Sequence, residues 1–143
     1  MTGIVIDASV ALAWCFPDEV SEYADGILVA LEGHAILVPG LWSVEITNAV
    51  VVAERRKRIK QPEIRRFVEL LDGLTVVMDS QSVTESMSNI LPIAREYGLS
   101  AYDAAYVDVA VRHGAPLATL DSKLQKASQK AGIEILKAGV TRE

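Results

Sequence analysis

Short runs rich in Val, Ile and Leu recur along this chain, and each is separated from the next by longer stretches with helical spacing. Residues 3–6, 35–38, 75–78, 117–120 and 133–136 read as strands. Between them, helices are predicted over residues 9–16, 19–31, 41–59, 62–71, 82–97, 100–113 and 123–131. The strand runs are continuously apolar rather than alternating, so both of their faces must be covered. Strands separated by helices then pair in parallel through right-handed crossovers. This pattern predicts an α/β fold: a single-domain, three-layer α/β/α sandwich with a mainly parallel central sheet. A chain of 143 residues can bury one core of ordinary size, and no repeat or composition shift divides residues 1–143.

A parallel sheet assigns positions to the carboxylates. The carboxyl ends of its strands share one edge with the starts of the helices that leave them, and open α/β sheets bind ligands along that edge. Asp7 ends the first strand and Asp121 ends the "LATLD" strand. Asp103 falls in the first turn of the helix opened by Ser100, and Glu45 in the opening turns of the helix after the second strand. Four acids from four distant segments are therefore expected on one rim. Asp79, at the end of "VVMD", reaches the same rim. Asp108 is turned about 140° from Asp103 around the helix and is expected at the surface.

Each acid also has a local use. Asp7 and Asp121 suit helix N-caps, and "SAYD" at Ser100 to Asp103 matches a reciprocal capping box. Glu45 is different, because it shares a helical stripe with Leu41, Asn48 and Val52 beside Trp42, Ile46 and Ala49. A carboxylate left unpaired there would be costly or would hold its proton more tightly. It needs a partner, and a cation shared with the other acids is one. Oxygen donors without Cys or His beside them select a hard ion, Mg²⁺ or Mn²⁺, rather than zinc. Such an ion could activate water and stabilise an in-line displacement at phosphorus, so phosphodiester hydrolysis is the expected chemistry. Ser9 and Thr119 each stand two residues from a strand-end acid, and Asn48 lies on the stripe of Glu45; these are supporting candidates, with local capping or packing as the alternative for the two hydroxyls.

A net charge of −5 argues against a generally cationic nucleic-acid binder, yet half of the 14 Lys and Arg residues fall between positions 55 and 66. Arg55, Arg56, Lys57 and Arg58 are candidates for RNA or partner contact, or else cations that offset a helix dipole. Lys123, Lys126 and Lys130 follow helical spacing and read as a solvated stripe. Charges interrupt every apolar stretch before the roughly 18 residues of a membrane helix, and Asp7 falls where a signal peptide would be most apolar. A cytoplasmic protein with no membrane contact is expected. Cys15 reads as a buried small hydrophobe, Trp14 and Trp42 as core or interface, and His34 and His113 as residues near helix ends.

Four segments, "VIDASVALAW", "VPGLWSVEITNAV", "LSAYDAAYVDVA" and "APLATLDSKL", taken in order, resemble the PIN-domain ribonucleases and in particular the VapC-type toxins. The resemblance spans nearly the whole chain; its specificity lies in the ordered set, since "DxS" alone is common. It implies a Mg²⁺-dependent endoribonuclease that cleaves single-stranded RNA, with Asp7, Glu45, Asp103 and Asp121 as the acidic metal site. It further implies neighbouring first and fourth strands, a homodimer, and an inhibitory antitoxin whose tail covers the site. Lys123 departs from the pattern, because similar proteins often carry a further acid there. Two other enzyme classes gather acids at such a rim. A phosphorylation receiver would use Asp79 as acceptor together with a late rim lysine, and a phosphatase of the haloacid dehalogenase type would need an aspartate where Ser9 stands. A catalytically inactive RNA- or partner-binding module is the non-enzymatic alternative.

Overall fold

The computed structural model describes residues 3–137. In chain order these form β1 (Gly3–Ile6), α1 (Ala8–Cys15), α2 (Glu22–Ala30), β2 (Ala35–Pro39), α3 (Leu41–Arg55) and α4 (Gln61–Asp72), followed by β3 (Val76–Asp79), α5 (Val83–Tyr97), α6 (Ala101–His113), β4 (Leu117–Ala118) and α7 (Ser122–Lys130). The strands make one all-parallel sheet in the order β3-β2-β1-β4. The first and fourth strands are therefore neighbours, as expected. α1 packs on β1 and gathers α2, α3 and α4, whereas α6 packs on α5, β1 and β2, so the sheet lies between two helical layers.

Burial explains the apolar runs. Val5, Ile6, Ile36, Val38 and Leu117 are sealed between the layers with Val10, Ile27, Tyr106, Val107 and Leu124. Gly3 is required by close packing, since a Cβ there would stand 2.5 Å from the Leu37 side chain. The edge strand is the exception: Val77 and Met78 remain about half exposed, at 45% and 50%. Cys15 is buried, as expected, and burial pushes its thiol up to about 11. Trp42 is likewise core, and the indole N–H of Trp14 donates to the Ala24 carbonyl at 2.8 Å. No helix among the described residues is long and apolar enough to cross a membrane.

Several boundaries differ from the sequence reading, each for a local reason. The helix expected from residue 19 begins at Glu22, because the Ser21 hydroxyl accepts the Ala24 amide and sets the cap there. The helix expected to reach residue 59 stops at Arg55. Lys57 takes a left-handed conformation (φ 60°), its N–H donates to Glu54 O, and the Arg58 N–H donates to Ala53 O at 2.8 Å. These are the two bonds of a Schellman motif, formed with lysine where glycine is usual. The "LATLD" strand retains only Leu117–Ala118, since Thr119 and the residues after it turn to serve Asp7 and α7. The strand expected at 133–136 reduces to one parallel bridge, Leu117 to Ile135.

Candidate active site

Asp7 leaves β1 at the sheet edge with only 6% of its surface exposed. Its Oδ1 caps α1 through the Val10 amide and accepts the Ser9 hydroxyl at 2.6 Å, while Oδ2 accepts the Thr119 hydroxyl at 2.6 Å. Those hydroxyls are themselves held, because the Leu120 N–H donates to Ser9 Oγ and the Asp121 N–H donates to Thr119 Oγ1, both at 3.0 Å. Ser9 and Thr119 thus clip the ends of β1 and β4 around one carboxylate. Burial raises the Asp7 pKa; the three donors offset part of that rise, and the charge of Asp121 adds to it.

Asp121 caps α7, but both of its capping bonds, from the Lys123 and Leu124 amides, fall on Oδ1. Asp103 is freer than the sequence suggested. Ser100 accepts the Asp103 amide at 3.1 Å, yet the capping box closes only on that side, so the Asp103 carboxylate is not spent on its own helix. Burial is the main cause that raises the Asp103 pKa, followed by the charge of Asp121, while Lys123 opposes the rise. Glu45, one turn into α3, is half-buried and accepts the Tyr106 hydroxyl at 2.5 Å. Its pKa is raised by burial first and then by Asp103 and Asp7, against that hydrogen bond.

Tyr106 is a site residue that the sequence reading missed. Its ring is buried like any core residue, at 1% exposure, and burial with the adjacent Glu45 carboxylate drives its phenol far above the usual range. Its position three residues after Asp103, on the same face of α6, was the available signal.

The electrostatic couplings close into a ring. Asp7 feels Asp121, Asp103 feels Asp121, and Glu45 feels both Asp103 and Asp7. None of the ion pairs among the described residues reaches these four acids. Nor, among the described residues, are any three acidic, His or Cys side chains drawn together tightly enough to form a ready-made cage. The arrangement is an open, oxygen-only cup with surplus negative charge, a donor set that suits a hard divalent cation. Asn48, one turn after Glu45 on α3, has its side chain exposed.

Asp79 and Asp108 form a second acidic pair with the opposite character. The Arg112 guanidinium bridges both, 3.0 Å from Asp108 Oδ1 and 3.2 Å from Asp79 Oδ1, and His113 Nε2 lies 2.9 Å from Asp79 Oδ1. Gln81 donates to Asp108 Oδ2 at 3.1 Å and is itself anchored by Asn89. The hydrogen bonds from Arg112 hold the Asp79 pKa below the ordinary carboxylate range. Asp108, expected at the surface, is 3% exposed: the turn around α6 takes it away from the cup but under the β3–α5 junction. Both Asp79 oxygens are occupied by cationic donors, which disfavours its use as a phosphate acceptor.

The basic segment also sits apart from the rim. Arg55 lies ten residues beyond Glu45, about 15 Å along α3. Arg58 is fully engaged, paired with Asp18 at 3.0 Å and with Glu19, and stacked 4.1 Å from the Phe16 ring centroid.

Comparison with known proteins agrees with this fold. Residues 4–130 match the PIN domain family model. Ribonuclease VapC3 of Pyrobaculum aerophilum is 31% identical over 122 residues, covering 85% of this chain and 91% of that protein. A crystal structure from Pyrobaculum aerophilum superposes with a TM-score of 0.66 at 25% identity, over 88% of this chain and 79% of the other. The VapBC2 complex of Rickettsia felis, crystallised on a DNA fragment from its promoter, gives a TM-score of 0.66 at 12% identity, over 94% and 98% of the two chains. The family match, the identity to a VapC protein and the shared fold agree: this chain belongs to the PIN-domain family, among its VapC-type members.

Proposed function

We propose that this protein is a divalent-cation-dependent endoribonuclease, using Mg²⁺ or Mn²⁺, and the toxin of a toxin–antitoxin pair. The observation that carries the reading is the ring of four acids, Asp7, Glu45, Asp103 and Asp121, which no ion pair among the described residues reaches and which only Lys123 opposes, at Asp103. A ribonuclease name on a relative with 31% identity gives the chemistry its direction. A divalent ion bound by these carboxylates would supply charge neutralisation and an activated water for in-line attack at phosphorus. The chain's own residues divide the remaining work. Asp7 is immobilised by Ser9 and Thr119, which fixes one wall of the cup. Tyr106 orients Glu45 from behind, and Asp103, with its carboxylate unspent, faces the incoming phosphodiester. Burial and the charges of Asp103 and Asp7 raise the Glu45 pKa, a repulsion that a bound cation would relieve.

Two surfaces fit the partners that this reading requires. Met78 on the edge strand, beside α5 with its exposed Val83, Met87 and Leu91, offers exposed apolar surface suited to a second copy of the chain. An apolar groove of about 240 Å³ between α3 and α4, lined by Trp42, Ile46, Val50, Phe67 and Leu71, suits an amphipathic antitoxin segment. Arg55, Arg56 and Lys57 lie at the end of α3 beside that groove and would meet acidic residues of such a partner. The decisive assay is cleavage of single-stranded RNA by antitoxin-free protein in Mg²⁺, in Mn²⁺ and in chelator, with Asp7→Asn as control. Cleavage that needs the metal and disappears in the variant is expected; equal cleavage in chelator or in Asp7→Asn overturns the reading.

A further inference from the structure

The lysines of α7 begin at the acidic rim. α7 starts at its cap, Asp121, and because Ile135 beyond it pairs in parallel with Leu117, the helix must run back along the sheet away from the rim. Lys123 stands in the first turn, within electrostatic reach of Asp103. Lys126 and Lys130 follow at three- and four-residue steps on the same face, while Leu124, Ala127 and Ser128 anchor the opposite one. From Asp121 to Lys130 the helix advances about 14 Å, several phosphate spacings of a nucleic-acid strand.

All three lysines are exposed, and with Glu96, Tyr97 and Ala127 they line a groove of about 540 Å³. None enters an ion pair among the described residues. Three ammoniums against one carboxylate make this groove locally cationic on a protein of net charge −5. That matters because a polyanion approaching four clustered acids is repelled unless cations flank them. The segment at Arg55 to Arg58 cannot serve the same end, since it lies at the far end of α3 and Arg58 is already paired.

We propose that the α7 face carrying Lys123, Lys126 and Lys130 is the track on which single-stranded RNA leaves the rim, its phosphates on the ammoniums and a base on the Tyr97 ring. This assignment of the substrate path rests on the ribonuclease reading. Phosphate contacts of this kind position a strand and carry little sequence information, while stacking on an aromatic ring tolerates any base.

The test is binding of a labelled single-stranded oligoribonucleotide by fluorescence anisotropy over a salt series, in the Asp7→Asn background, with circular dichroism confirming that the fold is kept. Lys126→Gln with Lys130→Gln should weaken binding roughly tenfold and lower the slope of log affinity against log salt by about 1.4, two single-strand phosphate contacts. Arg55→Gln with Arg56→Gln should change affinity less than twofold. Unchanged affinity and slope in the lysine pair, a larger loss in the arginine pair, or an acidic peptide that binds this face as tightly as RNA would overturn the track. Cleavage by protein with an intact Asp7 separates the two ideas. If RNA stays whole while the lysines still govern binding, the nuclease reading falls and with it the substrate path, leaving α7 as an RNA-binding face only. If RNA is cut and the lysine pair keeps its KM, the track falls alone.

Discussion

Two groups of acids sit on this molecule, and α6 contributes to both. At its start, Asp103 joins Asp7, Glu45 and Asp121; toward its end, Asp108 joins Asp79 beneath Arg112 and His113. The second group carries its own cation, Arg112, whose hydrogen bonds depress the Asp79 pKa. The first has hydroxyl and amide donors but no salt bridge, and Asp7, Glu45 and Asp103 are all shifted upward, chiefly by burial. Neutralisation from within yields a structural brace. Carboxylates held in place by Ser9, Thr119 and Tyr106 without an ion pair yield the donor set that, on the proposed reading, an external cation would complete.

The contrast can be broken most forcefully through activity. Asp103→Asn removes a carboxylate that makes no cap, so RNA cleavage should fall on the order of 10²-fold or more while the fold persists, as read by cleavage rate beside circular dichroism. On the other side, Arg112→Ala strands Asp79 and the buried Asp108 without their cation. Chemical denaturation should register a loss of roughly 3 kcal/mol, and cleavage by the remaining folded protein should change little.

A smaller effect is expected within the cup. Thr119→Ala removes the donor to Asp7 Oδ2 and should cost about 1 kcal/mol while pushing the Asp7 pKa further up, a shift that a carboxyl-resolved NMR titration can read.

The subtlest test is pH. Asp79 has a depressed folded pKa, so its stabilisation is present above the ordinary carboxylate range and fades as pH falls through it; the deficit of Asp79→Asn should therefore close below about pH 4. Glu45 has a raised folded pKa, so its contribution is fully present at low pH and is lost as pH rises through that value. In chelator, Glu45→Gln should gain on the unaltered chain as pH climbs from about 4 toward 7. Parallel pH profiles for the two variants would erase the distinction between the groups.

How much of this was legible in the sequence depends on how local each signal is. The alternation of apolar runs with helical stretches predicts a mainly parallel sheet, and in the all-parallel sheet found, the ends of β1 and β4 and the start of α3 fall on one edge, the edge expected for Asp7, Asp121 and Glu45. Caps were legible for the same reason: Asp7 and Asp121 each bond amides within three residues. Long-range partnerships were not. Nothing near Asp108 in sequence announces that Gln81 waits 27 residues upstream, and Tyr106 looks like core because most of it is core. The basic run at Arg55 to Arg58 drew attention by density, but the Schellman turn at Lys57 and the Arg58 pairing keep it at the far end of α3. The quieter lysines of α7 gain meaning only from where that helix starts.

Thermal unfolding of the unaltered chain and of Asp103→Asn, each with chelator and with excess Mg²⁺ near neutral pH, tests the central claim most directly. At a hundredfold excess over its dissociation constant, Mg²⁺ should stabilise the unaltered chain by about 2.7 kcal/mol and the variant far less. In chelator the variant should be at least as stable as its parent. Equal Mg²⁺ stabilisation of both proteins, or a variant weaker than its parent without metal, would contradict a cup held open by unneutralised charge.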